Sequence, residues 1–176
     1  MTDPLELARQ RFLETFEVVG REGEHLAYSL GRLSSLRIDA EWVRSLERQP
    51  ELAERLEAFV SRFGRMQDTI ADRLLPRWLL ALAEAPGSQI ETLNRAERLG
   101  VLSSAESWLA ARKLRNRLVH EYMRDPQAFA EALKLAQAAC DQLFDTYERL
   151  RGFSRERMTI ASESIPPAVN VTARRS

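Results

Sequence analysis

The sequence predicts an all-α protein, a bundle of helices joined by short connections. Apolar residues recur at the three- and four-residue spacing of amphipathic helices, and no run alternates apolar and polar residues as a strand does. Only 7 of the 176 residues are glycine and 7 are proline, and 30% are charged, which is typical of a helix-rich globular protein. A chain of this length is expected to form one domain around one core.

The first two helices follow from one long apolar stripe and a short amphipathic segment. The stripe of the first helix contains Leu5, Phe12, Leu13, Phe16, Val19, Leu26 and Leu30. The glycines of "GREG" at residues 20–23 are expected to loosen this helix midway, because glycine costs a helix about 1 kcal/mol per site. A short helix is expected from Ala40 to Arg48.

Prolines and glycines set the limits of the next two helices. Pro50 is typical of a first helical turn, and it opens a helix whose apolar positions reach Ile70. Pro76 is expected to kink or stop that helix. The loop "APGSQ" follows, and then comes a helix around Leu93 that Gly100 closes as a left-handed cap residue.

Capping signals define the last two helices. Ser103, with a glutamate three residues later, forms the capping-box pattern, so "SSAESWLAARKLRNRLVHEY" is predicted to be helical from its start. Asp125 is predicted to cap a final helix whose first residue is Pro126. That helix should reach about Leu150, with Gly152 as its stop.

The domain is predicted to occupy residues 1–152. Residues 153–176 lack periodicity and include "PPAVNVTARRS", so they are predicted to be a disordered tail.

Composition narrows the classes of function. Lys and Arg balance Asp and Glu at 26 each, so a nucleic acid or a membrane would have to be met by a local patch. The single cysteine, Cys140, excludes an internal disulfide and is expected to be an inert core thiol. Neither a signal peptide nor a membrane-spanning stretch is evident, so a cytoplasmic protein is expected. The sequence contains no phosphate-binding loop and no Cys/His cluster, so no cofactor or metal is expected.

One local patch does occur in the segment "LRNRLVHEYMRDP". Residues 112–124 hold five cations against the single acid Glu121, a local charge of +4; the cations are Arg112, Lys113, Arg115, Arg117 and Arg124. The simplest interpretation is a helix C-terminus whose cations and histidine interact with the negative end of the helix dipole.

The spacing within this segment also permits a catalytic interpretation. Asn116 and His120 are four residues apart and therefore share a helix face. Arg115 and His120 are five apart, about 140° around an ideal helix, so they flank one groove rather than touch. Tyr122 lies where Asp125 and Pro126 require a break, so it is expected to project from the end of the helix.

These groups match the needs of RNA phosphodiester cleavage. The reaction requires a base for the 2′-hydroxyl proton, a cation for the charged phosphorane and an acid for the leaving 5′-oxygen. Histidine can take either proton role near neutral pH, and arginine grips phosphate through two hydrogen bonds. Because one histidine cannot easily perform both proton transfers in one concerted step, two copies are expected to meet at a symmetric interface.

The stretch "RNRLVHEY" resembles the pattern Arg-Asn-x-x-x-His-x-Tyr of HEPN-domain proteins, specifically the HepT-like toxins of HEPN/MNT toxin–antitoxin pairs. The resemblance covers residues 5–150 and implies a HEPN-type antiparallel helical bundle. It further implies a metal-independent endoribonuclease whose active site forms across a homodimer. By this resemblance Arg115 and His120 are the catalytic pair, and Asn116 is a supporting polar residue.

The resemblance also implies a partner. Tyr122 matches the tyrosine that a minimal nucleotidyltransferase (MNT) antitoxin modifies with AMP to silence the toxin. The remaining cations of the segment are the expected RNA contacts: Arg112, Lys113, Arg117 and Arg124. Two alternatives remain open. One is a non-catalytic HEPN-like helical adaptor that binds a nucleotidyltransferase or nucleic acid, and the other is a helical regulator whose basic patch contacts an acidic protein.

A second charged feature lies in the middle of the chain. Arg65, Asp68 and Asp72 are three and four residues apart and share a helix face. They are expected to form a solvated, salt-bridged strip, or otherwise to contribute to a dimer or antitoxin surface.

Overall fold

The computed structural model describes residue 1, residues 3–120 and residues 124–171. The helices are α1 (Pro4–Ser34), α2 (Ala40–Ser45), α3 (Pro50–Thr69), α4 (Leu75–Ala81), α5 (Gln89–Arg98), α6 (Ala105–His120) and α7 (Pro126–Glu156). Short 3₁₀ turns occur at Leu46–Arg48 and Ser162–Ser164, and a π turn at Ile70–Leu74 joins α3 to α4. These described ranges contain no strand, which confirms the all-α class, and none of their helices is long and apolar enough to cross a membrane.

Helix α3 lies between α1 and α6, and α7 packs along α6. Arg62 of α3 donates to Ser29 of α1, whereas Thr69, two turns later, donates to Glu22, so α1 and α3 run antiparallel. The core between the helices is filled by large side chains that are fully buried: Phe12, Phe16, Phe59, Phe63, Trp78, Trp108 and Phe129. The apolar stripe predicted for α1 contributes to this core, except for Leu5, which is 37% exposed.

Several predicted helix ends are confirmed. The Asp125 side chain accepts a hydrogen bond from the backbone N–H of Ala128 at 3.0 Å, which caps α7. Gly100 has a φ of 79° after the end of α5, the left-handed conformation expected of it. The capping box predicted at Ser103 is wrong. Ser104 is the cap of α6, because its Oγ accepts from the N–H of Ser107 at 3.1 Å.

Pro76 does not stop the helical path. In the π turn before it, the N–H of Leu75 donates to the carbonyl of Ile70, five residues back. Proline has no N–H to donate and its ring crowds the preceding turn, so an α-helix of regular pitch is disturbed at this point. The wider π turn relieves this crowding, and the chain continues directly into α4.

Helix α1 is continuous, so the expected loosening at residues 20–23 is wrong. Its glycines permit close packing instead. A Cβ atom at Gly20 would lie 2.7 Å from the hydroxyl of Tyr147, and one at Gly23 would lie 2.9 Å from a methyl group of Val169. A side chain at either position would therefore have to displace the Tyr147 phenol or the Val169 side chain.

The disordered tail expected from residue 153 is wrong for residues 153–171. Helix α7 passes Gly152 without interruption and ends at Glu156. The chain then folds back over the bundle, and Met158 and Ile165 are buried to 2% and 8% exposure. Residues 172–176 lie outside the described residues.

Hydrogen bonds hold this returning segment in place. The buried Tyr147 hydroxyl donates to the carbonyl of Pro167 at 2.8 Å, and the N–H of Asn170 donates to Glu24 at 3.1 Å. Burial raises the pKa of Tyr147 to about 12, so the phenol remains a donor at neutral pH. Backbone groups of this segment bond to side chains of α1 and α7, so the segment is fixed in place without forming an α-helix.

A half-buried carboxylate lies between α1 and α3. Glu22 accepts a hydrogen bond from the Thr69 hydroxyl at 2.9 Å. Its other oxygen is buried without a hydrogen-bond partner among the described residues. Burial raises the pKa of Glu22, and the Thr69 hydrogen bond and the charges of Arg65 and Arg73 oppose that rise only in part.

This raised pKa makes stability depend on pH. Because the folded protein binds the Glu22 proton more tightly than the unfolded chain, the stabilisation is complete below the ordinary value of 4.5 and is lost as pH rises through the raised pKa. We therefore expect Glu22→Gln to raise the free energy of unfolding at pH 7 and to have progressively less benefit towards pH 4. Urea unfolding between pH 4 and pH 7 measures this difference in the free energy of unfolding. Glu54→Gln, at an exposed position, is the control. A Glu22→Gln variant less stable than wild type at pH 7 would contradict the assignment.

Candidate active site

The predicted site residues from Arg112 to His120 occupy the last turns of α6 and divide between two faces of that helix. Lys113, Asn116 and His120 are spaced by three and four residues and are all exposed, so they form one solvent-facing row. Arg112 and Arg115 are half-buried and extend towards the neighbouring helices. The shared face predicted for Asn116 and His120 follows from the continuous helix through both residues.

Arg115 is held against α3. Its guanidinium forms an ion pair with Asp68 at 2.7 Å, and each side chain is about one-third exposed, at 34% and 32%. The guanidinium lies directly over Gly64, where a Cβ atom would be 2.6 Å from Nε of Arg115. Gly64 and Asp68 are four residues apart, so one face of α3 supplies both the space and the charge.

The ion pair with Asp68 mainly sets the direction of the Arg115 side chain and contributes little to the stability of the fold. A partly exposed pair of this kind contributes about 0–1 kcal/mol, because water screens it and both side chains lose freedom. A guanidinium carries five N–H donors in a rigid planar fork. Asp68 accepts from a terminal nitrogen of Arg115, which leaves further donors able to bind a phosphate oxygen.

Arg112 has a different environment. It donates to the side-chain oxygen of Gln89 at the start of α5, and Gln89 in turn donates to Asp72. These contacts link α6, α5 and the π turn through one chain of hydrogen bonds. Arg112 therefore helps to join the helices, whereas Lys113 and Arg124 are exposed.

Arg115 and His120 do not meet within one protomer. Five residues separate them on a regular helix by about 7.5 Å along the axis and about 140° around it. Arg115 turns towards α3, and His120 is exposed at the last residue of α6. Glu121, Tyr122 and Met123 lie outside the described residues, so the expectation for Tyr122 concerns a position that the structure does not describe.

The partners of Arg112 and Arg115 are not those expected from the sequence. Arg65, Asp68 and Asp72 were expected to form a strip of their own, but Asp68 binds α6 and Asp72 binds α5. Gly64 is the feature of the sequence that indicates this packing. A glycine inside a helix is unfavourable unless another part of the protein approaches the helix closely there. Its spacing of four residues from Asp68 predicts a close approach on the face that carries the carboxylate.

The fold and the site together define an all-α helical bundle with a cationic, polar cluster at the C-terminal end of α6. No group of three or more His, Cys, Asp or Glu side chains among the described residues is arranged to hold a metal ion. In comparisons with known proteins, no family model, no curated protein and no solved structure matches the chain.

Proposed function

We propose that this protein is a metal-independent endoribonuclease of the HEPN type, the toxin of a HEPN/MNT toxin–antitoxin pair. The observation that carries the proposal is the end of α6, where His120 and Asn116 are exposed on one face and Asp68 holds Arg115 on another face of the same helix. Imidazole is the side chain most often used for proton transfer in catalysis, and a guanidinium binds phosphate through two hydrogen bonds.

The proposed reaction is an internal transfer within RNA. A base, His120 of one protomer, removes the proton from the 2′-hydroxyl, and the 2′-oxygen bonds to phosphorus. The bond from phosphorus to the 5′-oxygen then breaks, and an acid, His120 of the second protomer, supplies the proton to that oxygen. Arg115 stabilises the extra negative charge on the phosphorane. The products are a 2′,3′-cyclic phosphate and a free 5′-hydroxyl.

Two histidines require a homodimer in which both copies of residues 112–124 line one cleft. An apolar surface beside the site supports such an assembly. Val119 is 60% exposed and borders a groove of about 270 Å³ that is lined by Leu56, Val60, Leu118 and Phe129. Burial of the exposed Val119 side chain in such an interface would favour association, against the repulsion between the two cationic segments.

The antitoxin would be a minimal nucleotidyltransferase that transfers AMP to Tyr122. An adenylyl group would place a negative charge and a bulky base next to the cations of α6, where RNA phosphate would otherwise bind. The proposal for Tyr122 rests on its position in the motif, two residues after His120.

One observation favours a second candidate function. Both Arg112 and Arg115 already have acceptors within the protein, Gln89 and Asp68. A non-catalytic adaptor would need these arginines only for its fold, and it would bind a nucleotidyltransferase or nucleic acid through exposed Lys113 and its neighbours.

Expression of the chain alone separates the two functions. We expect growth arrest with fragmented RNA for the wild type, and normal growth for folded His120→Ala. Co-expression with a nucleotidyltransferase encoded next to this gene should restore growth and add the mass of AMP to the peptide containing Tyr122. Normal growth with intact RNA at high expression of the wild type would favour the adaptor.

A further inference from the structure

An exposed tyrosine on α1 has two arginines beside it. Tyr28 is 50% exposed, and the guanidinium carbon of Arg32 lies 5.7 Å from the centroid of its ring. Arg32 also donates to the Tyr28 hydroxyl at 3.0 Å. Arg62 reaches over from α3 and donates to the hydroxyl of Ser29 at 2.7 Å. Arg32 therefore lies against the ring, and Arg62 contacts the residue that follows Tyr28 on α1.

The charges of these two arginines are not neutralised by carboxylates within the described part of the chain. Arg21, on the same helix, pairs with Glu17, and Arg115 pairs with Asp68. Arg32 and Arg62 instead bind neutral oxygens, namely a phenol, a hydroxyl and a backbone carbonyl. A guanidinium that binds only neutral acceptors retains its affinity for a phosphate.

We propose that Tyr28, Arg32 and Arg62 form a subsite for single-stranded RNA, the α1 platform. A base would stack on the Tyr28 ring, and the adjoining phosphates would bind the two arginines. Exposed aromatic rings among cations are the means by which proteins bind single strands without regard to sequence. The platform rests on the proposed function in that it supplies a path for the RNA whose scissile bond lies at α6.

The arrangement of the helices places the α1 platform on one side of α3 and the cationic, polar cluster of α6 on the other side. On one side of α3, Arg62 contacts α1 at Ser29; on its other side, Ser61 shares a groove with Val119 of α6. Tyr28 and His120 therefore lie at similar heights on either side of α3. With neighbouring helix axes about 8–10 Å apart, the axes of α1 and α6 lie about 16–20 Å from each other, and a single-stranded RNA that crosses α3 would connect the two sites. Arg65 is exposed on α3 between them.

Substitutions at Tyr28 can distinguish single-stranded RNA from an acidic protein as the ligand of the α1 platform. An acidic peptide would use Arg32 and Arg62 but would not require a flat ring. RNA bases stack on phenylalanine as well as on tyrosine, whereas leucine offers no ring to stack on. The substitutions Tyr28→Phe and Tyr28→Leu therefore report on stacking at nearly constant size and charge.

The experiment uses the full chain with His120→Ala, so that RNA is bound but not cut. Fluorescence anisotropy with a labelled single-stranded RNA of mixed sequence gives the affinity across a range of salt concentrations. We expect Tyr28→Leu to weaken binding about 5- to 150-fold, the range for losing one stacked base, and Tyr28→Phe to bind like the parent. Arg32→Ala should lower the slope of log affinity against log salt by about 0.7. Arg155→Ala, which removes an exposed cation from α7, should not change either quantity.

Circular dichroism confirms folding of each variant, and the outcomes separate the platform from the nuclease. The proposed platform is wrong if Tyr28→Leu binds RNA as tightly as the parent, or if Tyr28→Phe loses as much RNA affinity as Tyr28→Leu. This conclusion holds even when the wild type cuts RNA. Arg32-dependent binding of poly-glutamate that does not require the ring would also overturn it. Ring-dependent binding of RNA by a wild-type protein that cuts no RNA would support the platform and refute the nuclease.

Discussion

Replacement of His120 by alanine is expected to slow RNA cleavage by about 10²- to 10⁴-fold, because it removes the group that transfers protons in the proposed reaction. His120 is exposed at the last residue of α6, so its loss should change the free energy of unfolding by no more than about 0.3–1 kcal/mol. Initial rates on a defined RNA, together with urea unfolding, measure both quantities.

Arg115→Ala tests the other half of the pair. By analogy with the loss of one donor to an oxyanion, we expect cleavage to fall about 10²- to 10³-fold. Arg98→Ala, an exposed cation of α5, is the matched control for charge and should cleave at the wild-type rate. If the residues serve only as helix-end cations, both site variants will cleave RNA at the wild-type rate.

Gly64→Ala is expected to reduce cleavage about 10²-fold without unfolding the protein. The new methyl group would lie 2.6 Å from Nε of Arg115 and 3.3 Å from its guanidinium carbon, so the side chain must move away from Asp68. Misplacement of a catalytic group by about 1 Å can cost this much in rate. Since the displaced atoms belong to the end of a flexible side chain, stability should change little.

The chain offers a matched control in another helix. Gly152 lies inside α7, and a Cβ atom there would meet no atom within 4 Å. Alanine should stabilise α7 by up to about 1 kcal/mol through its helix propensity, with no effect on cleavage. In the Arg115→Ala background, Gly64→Ala should cause no further loss of rate. An additional 100-fold loss there would show that Gly64 acts by another route.

The helices were predictable because their signals are local. The apolar stripe of α1 and the cap at Asp125 depend on residues within a few positions of each other. The exposed row of Asn116 and His120 also follows from helix geometry alone. Neighbouring residues were sufficient to define these features.

The errors arose where distant segments determine the structure. The glycine pair of α1 resembles a weak point in the helix, but Gly23 makes room for Val169, which is almost 150 positions later in the chain. The segment after α7 lacks a helical period, yet it is held in place by distant side chains such as Tyr147, which binds its backbone. The partner of Arg115 lies on a helix about 50 residues earlier, and no local pattern identifies it.

The most direct test of the central claim is the cleavage of RNA by the purified wild-type protein in EDTA, with analysis of the product ends. Because the 2′-hydroxyl is the proposed nucleophile and the cation is Arg115, we expect cleavage to continue in EDTA. It should leave 2′,3′-cyclic phosphate and 5′-hydroxyl ends and spare DNA of the same sequence. Cleavage that stops in EDTA, that leaves 5′-phosphate ends, or that persists at the wild-type rate in folded His120→Ala would contradict the proposed mechanism.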